Sequence, residues 1–202
     1  MSRIVEFMNL TLDGVIQAPG RTDEDLRDGF KHGGWAAPYA AMSSNEAGES
    51  VPNFGALLLG RRTYEALYDD WPKQTGHPMT EMLNNMQKYV ASRTLREPLP
   101  WINSTLLKGN VPDAVAELKA QQPKDVDLVI MGSGELIQTL MKHNLIDRYV
   151  LLIHPLVLGS GHRLFPESGP FATLQLISAK ATPTGVVVAT YEPAEPMAGK
   201  TS

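Results

Sequence analysis

Apolar and polar positions along the chain fall into short blocks, most of them closed by a glycine, a proline or a polar triplet. Residues 3–10, RIVEFMNL, are rich in apolar and β-forming types and predict a strand running into a Leu12-Asp13-Gly14 turn. Residues 17–55 are irregular and rich in Gly, Pro, Asp and Asn, with one helix expected within 38–48 from a first-turn proline, Pro38. ALLLG, 56–60, is wholly apolar, the pattern of a strand covered on both faces. RRTYEALYDD, 61–70, then takes helical spacing, with Tyr64, Leu67 and Tyr68 on one face. MTEMLNNMQ, 79–87, predicts another helix, and KYVAS, 88–92, another buried strand.

Pro112 opens a helix in PDAVAELKAQQ, whose apolar stripe is Val115 and Leu118. VDLVIMG, 126–132, reads as a third buried strand and GELIQTLMKHN as its following helix. DRYVLLIHPLVL, 147–158, reads as one long strand. LQLISAKATPTGVVVATYE reads as an antiparallel pair turning near Pro183-Gly185. From Pro193 the polar PAEPMAGKTS is expected to be a flexible tail, 193–202, leaving 1–192 as a single domain. Strand–helix alternation followed by a hairpin predicts an α/β fold: three layers, with a mostly parallel central sheet and an antiparallel C-terminal edge.

Such sheets bind ligands beyond the carboxyl ends of their strands, where loops and helix N-termini converge. Three strand ends continue in polar, ligand-ready form: Gly60-Arg61-Arg62-Thr63, Ser92-Arg93-Thr94 and Gly132-Ser133-Gly134. Gly60 permits close backbone approach. Two arginines at a helix start oppose its dipole, which favours an anionic partner over a bare solvated face. Ser92 is equally explained as a cap or turn residue. Gly132-Ser133-Gly134 gives only half of a dinucleotide fingerprint, because Ile137 stands where the third glycine belongs. An ordinary Rossmann domain is therefore not expected.

Composition narrows the class. The 202 residues are 43% hydrophobic and 20% charged, with net charge −4 and no cysteine. A pI near 5.7 argues against nucleic acid as a partner. The missing cysteines exclude disulfides, thiolate catalysis and cysteine-ligated metals. Glu6, Asn9 and Asp13 interrupt the first apolar stretch, so it lacks signal-peptide form. The longest apolar stretch, YVLLIHPLVLG, is broken by His154 and Pro155 and is too short to span a bilayer, so no membrane role is expected. A cytoplasmic protein is the default. The histidines, His32, His77, His143, His154 and His162, show no ligand spacing, so no metal is expected, and His154 reads as a core residue. Gly159-Ser160-Gly161 lacks the surroundings of a nucleophile elbow.

Taken in order, FMNLTLDGVI, LLLGRRTYE, YVASRT, VIMGSGELIQTLMKHNLIDRYVLLIHPLVLGSGHRLFP and VVVATYE resemble the dihydrofolate reductase superfamily. The resemblance is to its branch similar to the reductase domain of riboflavin biosynthesis, and it covers most of the chain. It implies that fold, NADPH as cofactor and a homodimer. It implies that Gly60, Arg61, Arg62 and Thr63 meet the cofactor phosphates and that Ser92 and Arg93 lie near the 2′-phosphate. By the same resemblance Gly132, Ser133, Gly134 and Glu135 line the pyrophosphate and nicotinamide path. Leu12, Asp13, Gly14 and Ile16 border nicotinamide and substrate. The folate enzymes carry a catalytic carboxylate on a helix after a Leu-Pro-Trp segment, and residues 17–50 have no such segment. Asp13, either a turn residue or a working carboxylate, is the candidate for proton transfer or substrate anchoring. Trp35 and Tyr64 are candidates for packing on a planar substrate, or plain core.

The expected activity is NADPH-dependent reduction of a C=N or C=O group in a small, pterin- or pyrimidine-like molecule. The alternatives are an NADP(H)-binding module without turnover and a pyrimidine reductase of riboflavin biosynthesis.

Overall fold

The computed structural model describes residues 2–40 and 54–195. Among these residues eight strands form one sheet: β1 (Ile4–Thr11), β2 (Phe54–Gly60), β3 (Gln87–Ala91), β4 (Ser104–Leu106), β5 (Asp127–Ile130), β6 (Arg148–His154), β7 (Leu174–Ala181) and β8 (Val187–Pro193). Their order across the sheet is β4-β3-β2-β5-β1-β6-β8-β7. All pairs from β4 to β6 are parallel, while β6–β8 and β8–β7 are antiparallel. This is the mostly parallel sheet with an antiparallel C-terminal edge that the strand–helix alternation implies.

Among the described residues four α-helices cover the sheet: α1 (Arg61–Asp70), α2 (Pro78–Asn85), α3 (Val111–Gln121) and α4 (Gly134–Lys142). One layer packs Val115 and Leu118 of α3 and Leu136, Ile137 and Leu140 of α4 against Ile4, Leu58, Leu128 and Ile130. The opposite layer packs Tyr64 of α1 and Leu83 of α2 on Leu57, Leu59 and Val90. Successive residues of β2 thus serve opposite layers, which is why ALLLG is apolar throughout. Asn110 caps α3 by accepting the Asp113 N–H at 3.3 Å, with Pro112 in the first turn. Lys88 is buried and donates to the Leu83 and Met86 carbonyls, both at 2.7 Å, closing the end of α2. Its ammonium sits 4.6 Å from the Trp101 ring centroid, and burial pushes its pKa down to about 8.

Several expected boundaries move. The stretch 147–158 is not one strand: β6 stops at His154, before Pro155, which has no N–H to extend a ladder. The strand in 126–132 is shorter, because Met131 to Ser133 form the turn into α4. β4 is a three-residue strand at the sheet edge, too short for its periodicity to stand out. At the start of the expected 38–48 helix a 3-10 turn spans Ala37–Tyr39, and positions 41–48 lie outside the described residues. β8 continues through Pro193, and most of the expected tail lies outside them too.

Candidate functional site

Because β3, β2, β5, β1 and β6 are parallel neighbours, their carboxyl ends share one edge of the sheet. Adjacent strands lie about 4.8 Å apart, so the segments after β3, β2 and β5 form a continuous row. Gly60 donates its N–H to the Gly132 carbonyl at 3.1 Å. A Cβ on Gly60 would lie 2.3 Å from Ser133 Oγ. Gly132 has φ +121, and a Cβ there would lie 2.6 Å from Thr63 Oγ1. These glycines let two strand ends and two helix starts touch. Neither α1 nor α4 has a side-chain cap, so their first amide groups remain available at this edge.

A cleft of about 320 Å³ opens there. Arg62, Thr63 and the run Gly132, Ser133, Gly134 and Glu135 form one wall. The other wall is irregular: Ile16, Gln17, Ala18, Asp25, Arg27, His162 and Arg163. Arg62 Nη1 reaches Glu135 Oε1 at 3.2 Å, joining α1 to α4. Gln17 organises the second wall, donating to the Asp25 and Arg27 carbonyls (3.2 and 3.1 Å) and accepting from the His162 N–H (3.0 Å). Asp25 and Arg27 pair side by side, with Arg27 Nε donating to Asp25 Oδ1 at 2.8 Å. That hydrogen bond is the chief reason the Asp25 carboxyl titrates below its usual range.

Asp13 stands behind this wall. Its carboxylate accepts from Thr11 Oγ1 (2.6 Å), the Leu158 N–H (3.2 Å) and the Gly159 N–H (2.9 Å), and Arg163 Nη2 lies 3.6 Å away. Partial burial pushes its pKa up, but the bonds from Thr11, Gly159 and Leu158 outweigh that and bring it down to about 2. The result ties the segment after β6 to the turn after β1. A Val15–Arg163 bridge and the Ile16 N–H to His162 carbonyl bond (2.9 Å) complete the tie.

Of the residues singled out in the sequence, Ile16, Arg62, Thr63, Gly132, Ser133, Gly134 and Glu135 line the cleft. Gly60 lies directly beneath it against Ser133. Ser92 and Arg93 follow β3 on the same edge, with Ser92 Oγ accepting the Thr94 and Leu95 N–H groups. Arg61 turns to Glu65, 2.8 Å away on α1. Leu12 is largely exposed, Gly14 occupies a turn at φ +79, and neither lines the cleft. Trp35 and Tyr64 take their core alternative. Trp35 is buried and donates to the Gln17 carbonyl at 2.8 Å, and Tyr64 is buried with its hydroxyl accepting the Trp101 N–H at 3.0 Å. His154 is likewise buried, bonded to Asn9 Oδ1 at 2.9 Å between Trp35 and Tyr39, and burial lowers its pKa to about 4.

Sequence reasoning missed Gln17, Arg27, His162 and Arg163 as cleft residues. The signal for the last two is their place just after Gly159-Ser160-Gly161, in the segment that follows β6, the strand next to β1. A larger cavity of about 520 Å³ borders β4, lined by Trp101, Ile102 and Ser104, and holds none of the strand-end motifs.

The sequence model of the RibD C-terminal domain matches residues 3–188. The chain belongs to that family. It is 30% identical over 195 residues to the uncharacterised protein YyaP of Bacillus subtilis, covering 94% of each chain. Its structure resembles a candidate riboflavin biosynthesis protein from Shewanella sp. PV-4, with TM-score 0.65 at 24% identity over 96% of this chain and 100% of that one. It also resembles the dihydrofolate reductase of Enterococcus faecalis complexed with NADP(H), with TM-score 0.60 at 13% identity over 96% and 97% of the two chains.

Proposed function

We propose that this protein is an NADPH-dependent reductase of a C=N or C=O group in a small heterocycle of the pterin or pyrimidine kind. The observation that carries the proposal is the glycine-lined junction of Gly60, Thr63, Gly132 and Ser133, where added side-chain atoms would fill the space beside two uncapped helix starts. Free amides and a positive dipole end suit a pyrophosphate. The family and the NADP(H) complex of a structural relative agree with that fit.

When bound, NADPH supplies the hydride. In this reading Thr63 and the amides of Gly132 to Gly134 hold the pyrophosphate, and Arg62 neutralises it across from Glu135. Arg61 adds charge at the phosphates, while Ser92 and Arg93, farther along the edge, receive the 2′-phosphate. Ile16 covers the nicotinamide end and excludes water. Asp13 serves as a positioning anion, since a carboxyl with a pKa of about 2 holds no proton at neutral pH.

The test is thermal-shift titration with NADPH and NADH, followed by NADPH oxidation with dihydropterins, pyrimidines, quinones and carbonyls as acceptors. NADPH should bind more tightly than NADH, with a steeper salt dependence from its additional phosphate. Equal shifts with the two cofactors would remove the 2′-phosphate assignment. NADPH binding with no acceptor consumed would favour a binding module instead.

The proposal includes a homodimer. β7 ends the sheet, and its Leu176 and Ile177 are about half exposed, surface that a second protomer would cover. Sedimentation at micromolar concentration should give the dimer mass.

A further inference from the structure

Reducing a C=N or C=O bond takes a hydride at carbon and a proton at nitrogen or oxygen. The carboxyls that line the cleft are already engaged by donors. Asp25 is ion-paired with Arg27 and titrates low, Glu135 faces Arg62, and Glu24 Oε2 accepts the Gly20 and Arg21 N–H groups at 2.8 and 3.1 Å. Among the described cleft residues the remaining titratable group able to release a proton is His162. Histidine is the side chain whose ordinary charge change falls between pH 5 and 8. Its Nε2 lies 3.1 Å from Asp28 Oδ2, and its backbone N–H is fixed by Gln17. Its Nδ1 has no protein partner among the described residues. Asp25, Arg27 and Arg163 are the other charged groups around it.

Resting on the reductase reading, we infer that His162, oriented through Nε2 by Asp28, donates the proton to the substrate heteroatom from Nδ1. With hydride supplied to the substrate carbon by NADPH, the π pair would move to nitrogen or oxygen, and that atom would take the His162 imidazolium proton. NADP⁺, reduced substrate and neutral imidazole remain, and solvent returns the proton. Asp28, 3.1 Å from Nε2, fixes which nitrogen faces away from it and so leaves Nδ1 for the substrate.

Two readouts test this. Diethyl pyrocarbonate modification followed by mass spectrometry should show His162 protected by saturating NADP⁺, with His77 and His143 modified equally in both samples. Unchanged modification of His162 would overturn the placement. In steady state with the best acceptor of the panel, His162→Gln should keep the NADP⁺ thermal shift while kcat falls about 10²-fold and loses its pH dependence near neutrality. Asp28→Asn should weaken kcat in the same direction, and His143→Gln should leave it unchanged. Wild-type kcat and pH profile in His162→Gln, or in Asp28→Asn where the first variant does not fold, would overturn the proton assignment alone. Absence of wild-type turnover with every acceptor would overturn the reductase reading and this inference with it.

Discussion

The middle of β1 and the turn beyond its end each carry a carboxyl side chain, and the two stand in opposite states of charge. Glu6 faces the layer beneath α3 and α4, between Ile130 on β5 and Tyr149 on β6. It is 0% exposed, and neither of its oxygens has a hydrogen-bond partner. Burial alone raises its pKa to about 8, and its proximity helps hold the buried Tyr149 phenol above its usual range. Asp13 is also partly buried, yet three donors meet its carboxylate and its pKa falls to about 2. Depth does not decide between them; the supply of donors does. The core of the sheet tolerates a carboxyl only as a neutral acid, whereas the edge that builds the cleft is organised around a fixed anion.

The largest effect expected from this contrast is at Glu6. A carboxyl whose folded pKa lies above its unfolded value adds no ionisation cost below about 4.5, where both states are protonated. Between 4.5 and 8 the unfolded chain loses the proton and the folded one keeps it, so stability falls as pH rises, then levels off above 8. The loss approaches about 5 kcal/mol as an upper bound, at 1.36 kcal/mol per pH unit. Glu6→Gln removes the titration. Urea unfolding of the two proteins should give stabilities that diverge from pH 4.5 to 8 in favour of the variant. Parallel pH profiles would mean that Glu6 ionises in place and that the contrast is false.

At Asp13 the sign reverses. Its depressed pKa contributes about 2 kcal/mol that is fully present above 3.8 and disappears as pH falls through about 2. Asp13→Asn should therefore lower stability at pH 7 by about that amount and flatten the acid limb between pH 4 and 2. An asparagine can fill the turn before Gly14, but one oxygen cannot accept from Thr11, Leu158 and Gly159 together. An unchanged urea midpoint at pH 7 would reduce Asp13 to a simple turn residue.

The two carboxyls also mark how far the sequence could be read. The strand ends were legible because β2 and β5 are buried and largely apolar and are closed by distinctive residues, so Gly60, Thr63 and Gly132 to Glu135 could be ranked as one edge. Apart from Ile16, the opposite wall was not legible. Gln17 to Arg27 and His162 to Arg163 lie far apart in sequence and have no periodicity, and contacts such as Gln17 to His162 exist only once β1 and β6 pair. Tyr64 and Trp35 carried the same ambiguity: an aromatic suits a planar ligand or a core, and partners such as Trp101 and Gln17 decide it. Glu6 counted in sequence merely as a polar interruption of an apolar stretch. Its missing partners are a property of the packed sheet.

The smallest effect tests whether the donors around Asp13 act as one unit. Thr11 Oγ1 donates to Asp13 Oδ1 at 2.6 Å and accepts the buried Val15 N–H at 3.0 Å, so one hydroxyl joins the anion to the start of the cleft wall. Thr11→Val keeps the shape and removes both bonds, costing about 1 to 2 kcal/mol. Thr11→Ser restores the hydroxyl and should recover most of that loss. If the carboxylate is what makes the hydroxyl worth more than an ordinary hydrogen bond, Thr11→Val should cost less when Asp13 is already asparagine. The double-mutant cycle should then show a coupling of about 0.5 to 1 kcal/mol, since groups in one network are not additive. Additive losses would place the worth of Thr11 in the Val15 contact alone, and the low pKa of Asp13 would then rest on the Leu158 and Gly159 amides.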